Sequence, residues 1–181
     1  VGASTGGPLV LQKILTRLPQ NLPVPLLIVQ HIAQGFTEGF VEWLQNTTKF
    51  PLHIASHGEN LLPGHGYVAP DNFHMGVAAG PKIVLSNHGL ENGLCPSVSY
   101  LFQTAAQVFG HRAVGILLTG MGRDGADELK IMKEKGAITF AQDKESSVVH
   151  GMPGEAIKLD AATYILSPED ITTALTALIK K

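Results

Sequence analysis

Ala113-Val114-Gly115-Ile116-Leu117-Leu118-Thr119-Gly120-Met121-Gly122-Arg123-Asp124-Gly125 decides the fold. Its first six residues are small or apolar, with no polar alternation. Such a run predicts a strand buried on both faces, the habit of a parallel sheet. A glycine-rich turn closes it, and helix-forming sequence follows from about Ala126 to Lys135. A strand, a tight turn and a helix together make half of a crossover unit.

The same order recurs on either side. Leu9, Leu11, Ile14, Leu15 and Leu18 form an apolar stripe near the helical period over residues 8–18, with Pro19 just past the end. Pro25–Gln30 is a second buried strand, residues 37–48 a second helix and Leu52–Ala55 a short strand. Toward the C-terminus, Pro96-Ser97 starts a helix over Val98–Phe109, and Ala137–Ala141 is a strand. A short helix at 153–159, a strand at Thr163–Leu166 and a closing helix at 168–179 follow, the last with Ser167 as cap and Pro168 at its first position. The middle third, Gly58–Gly93, is rich in turn residues. Tyr67-Val68-Ala69, Phe73–Ala78 and Lys82–Ser86 read there as small, mostly antiparallel strands. The whole predicts an α/β fold, one domain over residues 1–181, with a mainly parallel sheet covered by helices on both faces. No strand is visible ahead of the turn at residues 2–7, so a first strand and an upstream segment are expected to be missing from the chain. Lys180 and Lys181 are expected to fray.

Composition narrows the function classes. With 181 residues, 44% hydrophobic and 15% charged, the chain is long and apolar enough to bury a core. A net charge of -2 without a Lys/Arg block argues against nucleic acid as the main partner. The single cysteine, Cys95, excludes an internal disulfide framework and fits a reducing, cytoplasmic compartment. It reads as a small, partly buried thiol. The longest apolar runs are too short to span a bilayer, and no signal peptide is visible.

In a parallel sheet, ligands gather at the carboxyl ends of the strands. That rule selects three loops: Gly2-Ala3-Ser4-Thr5-Gly6-Gly7, the residues after His31, and the turn carrying Met121 and Asp124. A serine hydroxyl attacks an acyl carbon well when an imidazole takes its proton and a carboxylate orients that imidazole. Ser4, His31 and Asp124 are those three residue types. Backbone N–H groups near residues 5–7 and at Met121 are candidate oxyanion donors. Each residue also has a plainer reading. Ser4 or Thr5 caps the following helix, His31 is structural, and Asp124 is a turn or cap residue. Asp127 is a first-turn acid. Gly2–Gly6 matches the G-x-S-x-G pattern, but the order serine, histidine, aspartate departs from that of α/β-hydrolases. The dinucleotide fingerprint fails at position 4, and a P-loop lysine is missing. His53 and His57 are four apart on a predicted strand and turn, not a helix, and there is no H-E-x-x-H. No metal site and no cofactor is expected.

The chain is similar over nearly its whole length to the catalytic domain of the CheB-type protein-glutamate methylesterases of bacterial chemotaxis. The markers are residues 2–7, Val-Gln-His at 29–31, Gly-Phe-Thr at 35–37, Gly-Glu at 58–59 and Pro-Gly at 63–64. Tyr-Val-Ala-Pro at 67–70, His-Met at 74–75, Pro-Ser-Val at 96–98, residues 118–126 and Gly-Met-Pro at 151–153 complete them. The resemblance implies a doubly wound sheet with an added β-hairpin. It implies Ser4 as nucleophile, His31 as base, Asp124 as acid, the Met121 backbone in the oxyanion site and Thr5 beside it. It implies hydrolysis of glutamyl methyl esters on the cytoplasmic helices of chemoreceptors, with deamidation of receptor glutamines in some members. It implies regulation by a receiver domain, without membrane insertion. Three places depart from the usual pattern: Ser99 in place of an acid, His150 in place of Tyr, and Ile32-Ala33-Gln34 after His31. An inactive receptor-binding module and a small-molecule esterase are the alternative readings.

Overall fold

The computed structural model describes residues 1–179; the terminal lysines lie outside the described residues. The strands are β1 (Gly2–Ala3), β2 (Leu26–Gln30), β3 (Leu52–Ile54), β4 (Gly66–Val68), β5 (His74–Ala78), β6 (Lys82–Ser86), β7 (Val114–Leu117), β8 (Ile138–Gln142) and β9 (Tyr164–Leu166). The helices are α1 (Gly7–Arg17), α2 (Thr37–Thr48), α3 (Val98–Phe109), α4 (Ala126–Glu134), α5 (Met152–Lys158) and α6 (Pro168–Leu178). Seven strands form one sheet in the order β3-β4-β2-β1-β7-β8-β9, and every pairing in it is parallel. β5 and β6 form a separate antiparallel hairpin.

Successive side chains of a strand point to opposite faces, so a doubly covered sheet needs apolar residues at both parities. That is what the continuous runs supply. Ile28, Val68, Ile116 and Leu118 pack on one side with α1, α2 and α6. Val29, Tyr67 and Leu117 pack on the other with α3, α4, α5 and the hairpin. In α1 the buried stripe is Val10, Leu11, Ile14 and Leu15, continued by Leu18 at its C-cap. Leu9 was expected in that stripe, but its place on the helical wheel is opposite to it and it is 62% exposed.

Two further expectations are corrected. The first strand is present: Gly2 and Ala3 pair with Val29 and Gln30 on one side, and Gly2 pairs with Leu117 on the other. Two residues carry no periodicity, so the centre of the sheet is invisible in the sequence there. Tyr67-Val68 does not belong with the antiparallel strands of the middle third. β4 is inserted between β2 and β3 in parallel register, Tyr67 opposite both Leu27 and His53. A run of three residues says nothing of pairing direction. Backbone pairing with β2 and β3 sets the direction, and burial of Tyr67 and Val68 on opposite faces fits the interior position.

Candidate active site

β1 stands between β2 and β7 at the point where the chain's winding reverses, β2 to one side and β7 to the other. Loops leaving neighbouring strands in opposite directions open a crevice there. Ala3 is in register with Gln30, so Ser4 and His31 leave adjacent strands side by side. Several hydrogen bonds lock them. The His31 N–H donates to Ala3 O at 2.9 Å and the Ser4 N–H to Thr119 O at 3.0 Å. Gln30, 5% exposed, donates its amide to Ser4 O at 2.9 Å and to His31 O at 2.8 Å, clamping both loops with one group. Gly120 lies against Ser4 from the β7 side, where a Cβ would come within 2.7 Å of the serine Cβ.

The turn after Ser4 is tight. The Gly7 N–H donates to Ser4 O at 2.8 Å, and Gly6 adopts φ +82° as the residue that caps α1. No side chain caps this helix. The Ser4 and Thr5 hydroxyls are therefore free of capping. Among the described residues, the N–H groups of Thr5, Gly6 and Met121 make no hydrogen bond, whereas that of Gly7 is used by the turn. Thr5 is exposed, and the Met121 side chain is 77% exposed.

Asp124 sits in the turn closed by the Ala126 N–H donating to Arg123 O at 3.0 Å, but it does not cap α4, whose N-cap is Gly125. Its side chain, 2% exposed, turns back to the start of α3. Oδ1 accepts from the Ser97 hydroxyl at 2.9 Å and the Ser99 N–H at 3.0 Å. Oδ2 accepts from the Val98 N–H at 2.6 Å and faces His31 Nε2 at 2.9 Å. A carboxylate at a helix N-terminus meets unpaired N–H groups and the positive end of the dipole. Burial alone would raise its pKa. Hydrogen bonds from His31, from Ser99 and from the Val98 amide outweigh that, and the net shift is downward. An ionised Asp124 only accepts, so Nε2 of His31 carries the proton and Nδ1 the lone pair.

The structure thus brings His31 and Asp124 into contact and sets Ser4 on the adjoining strand end. The Ser4 hydroxyl and the His31 ring are not hydrogen-bonded to each other; such bonds often tighten only around substrate. In the sequence Gln30 is only the end of a strand and part of the Val-Gln-His marker, and Ser99 only a departure from the family pattern, neither with a role in the site; Ser97 reads as a helix start and part of a marker. A polar residue closing a buried apolar strand was the available signal for Gln30. Ser97 does both jobs, since its hydroxyl also accepts from the Tyr100 N–H at 3.4 Å. Asp127 lies in the first turn of α4 and pairs with Arg123 at 2.7 Å. Cys95 is partly buried, and burial pushes its thiol pKa up. His53 and His57 go separate ways, His53 to Glu59 at 2.7 Å and His57 to the Leu85 N–H at 3.1 Å.

A model of the CheB methylesterase family matches residues 1–175. The chain belongs to the CheB methylesterase family. A protein-glutamate methylesterase/protein-glutamine glutaminase of Nitrosospira multiformis is 62% identical over 179 residues, 99% of this chain and 50% of the relative. Protein-glutamate methylesterase/protein-glutamine glutaminase 1 of Syntrophus aciditrophicus is 59% identical over 178 residues, 98% of this chain and 51% of the relative. The chain spans about half the length of these curated relatives. The crystal structure of the Thermotoga maritima CheB methylesterase catalytic domain superposes with a TM-score of 0.95 at 36% identity, covering 98% of this chain and 95% of that one. The doubly wound fold is therefore that of the CheB catalytic domain. Against that family pattern, Ser99 accepts the Gly125 N–H at 3.0 Å and donates to Glu128 at 2.6 Å. His150 lies beside Gly120 in a parallel bridge.

Proposed function

We propose that this chain is a protein-glutamate methylesterase domain, spanning residues 1–181, that uses Ser4 as nucleophile, His31 as base and Asp124 as orienting acid. The contact between His31 and Asp124 at 2.9 Å, beside a serine on the adjoining strand, carries the reading. Ser4 Oγ attacks the ester carbonyl carbon and its proton passes to His31 Nδ1. Asp124 stabilises the imidazolium. The carbonyl oxygen, now an oxyanion, accepts from the free N–H groups of Thr5, Gly6 and Met121. Collapse breaks the carbon–oxygen bond, and methanol leaves with the proton from His31. Water, deprotonated by His31, then cleaves the Ser4 ester and yields the glutamate carboxylate. With a glutamine the leaving group is ammonia, the second activity in the relatives' names.

The substrate we assign is the methylated helical surface of a chemoreceptor in the cytoplasm, and the regulatory partner is a receiver domain. Phe36 at 65% exposure, Met121 at 77% and Val148 at 68% support a macromolecular substrate. These large apolar side chains stand on the loops after β2, β7 and β8, around the crevice. None of the described helices is long and apolar enough to cross a membrane. A serine-directed fluorophosphonate tests the chemistry. Stoichiometric labelling mapped to Ser4 by peptide mass spectrometry is expected. Tight binding of methylated receptor without labelling would mark an inactive binding module instead.

A further inference from the structure

His74, at the start of β5, is completely buried. Its Nε2 lies 2.7 Å from the carbonyl oxygen of Gly89. A carbonyl only accepts, so Nε2 carries the ring proton and Nδ1 presents a lone pair. That Nδ1 is buried and has no hydrogen-bond partner. Glu91, in the loop after β6, has Oε2 in the same condition. An imidazole lone pair and a carboxylate oxygen are both acceptors, and neither satisfies the other. What both need is a donor or a cation placed between them.

A third ligand is at hand. The His88 ring stacks on His74 with centroids 4.7 Å apart and planes 25° apart, and Ser86 Oγ lies 2.8 Å from its Nδ1. One ligand atom from each of His74, His88 and Glu91 lies within 4.8 Å of the others. We infer that these three residues form a binding site for a divalent transition-metal ion of the zinc type. Two imidazoles and one carboxylate are the donor set that zinc accepts with a fourth position left to water. Two imidazoles in the set disfavour calcium and magnesium, which take oxygen ligands. A tetrahedral ion about 2.0–2.1 Å from each donor holds neighbouring donors roughly 3.3 Å apart. His88 is exposed and sits in a loop, so its ring supplies the closing movement. The Gly89 carbonyl already fixes the His74 tautomer that ligation needs. The ligands lie 14 and 17 residues along from His74, which is why no short motif marks them.

The site has a structural consequence. Glu91 and Ser97 are six residues apart, so an ion here ties the β5–β6 hairpin to the segment that enters α3 and cradles Asp124. Competition between the purified chain and a chromophoric chelator for Zn²⁺, with Co²⁺ absorption as a second readout, tests the site. One ion per chain is expected, together with visible Co²⁺ bands of a four- or five-coordinate site. His88→Ala and Glu91→Gln, both outside the buried core, should each weaken Zn²⁺ binding at least tenfold while the far-UV circular dichroism is kept. Failure to bind stoichiometrically at micromolar Zn²⁺ overturns the inference. So does binding that both variants leave unchanged, since the ion would then sit on other histidines.

Discussion

His31 Nε2 meets Asp124 Oδ2 at 2.9 Å, and the same carboxylate is held by two backbone N–H groups and one hydroxyl at the start of α3. The acid is thus anchored by a different helix from the one that follows it in sequence. That anchorage keeps the carboxylate ionised and the imidazole in one tautomer, with Nδ1 free to take a proton.

Asp124→Asn should keep the fold and lower the hydrolysis rate by about four orders of magnitude, because the amide favours the wrong tautomer. The stability effect depends on pH with a defined sign. The pKa of Asp124 is lowered from its ordinary 3.8, so folding binds the ionised form preferentially. Its contribution is fully present above about pH 4 and is lost as pH falls through the lower, folded value. Urea denaturation of both proteins should show a constant stability gap from neutral pH to about pH 4, shrinking below it. A gap that widens on acidification would contradict the assignment.

Gln30→Leu removes the amide that holds both Ser4 O and His31 O. Two carbonyls lose a donor, at a cost of about 1–3 kcal/mol. Misplacing the two loops should reduce kcat by roughly 10–100-fold. Denaturant unfolding and steady-state rates measure the two effects separately.

Gly6→Ala places a side chain at φ +82°, with its Cβ 2.6 Å from Val148 Cβ. The expected loss is about 1–3 kcal/mol. Val148 is 68% exposed, so Val148→Ala alone should be nearly neutral. In the double variant the contact with Val148 Cγ2 at 2.7 Å is removed while that with Cβ at 2.6 Å stays, so only a part of the steric loss should be recovered. Equal losses in the single and double variants would show that the Cγ2 contact contributes nothing.

Ser99→Ala deprives the buried Gly125 N–H of its acceptor and Glu128 of a donor. About 1–3 kcal/mol of stability should be lost. The rate should change less than about tenfold, because Asp124 keeps its bonds to Ser97 Oγ and the Val98 and Ser99 amides. Thermal unfolding alongside esterase assays separates the two.

The long apolar runs were the legible part of the sequence, since a strand buried on both faces needs no alternation and helices reveal their period. The antiparallel β5–β6 hairpin was readable too, from two runs joined by Gly80. The short strands were not: two residues at β1 and three at β4 hold no pattern, and their places follow from pairing with distant partners. The placement of Ser4, His31 and Asp124 at the ends of buried strands was legible, because each follows an apolar run or lies in a glycine-rich turn. Gln30 and Ser99 were not, because their roles depend on hydrogen bonds to residues 26 positions away. The convergence of His74, His88 and Glu91 likewise comes from folding the hairpin back on itself.

The central claim is that Ser4 attacks the ester. Methanol release from purified methylated receptor, compared between the native chain and Ser4→Ala, addresses it most directly. Ser4→Ala should lose at least about three orders of magnitude in rate while its unfolding transition stays where it was. Near-native methanol release by Ser4→Ala would contradict the mechanism.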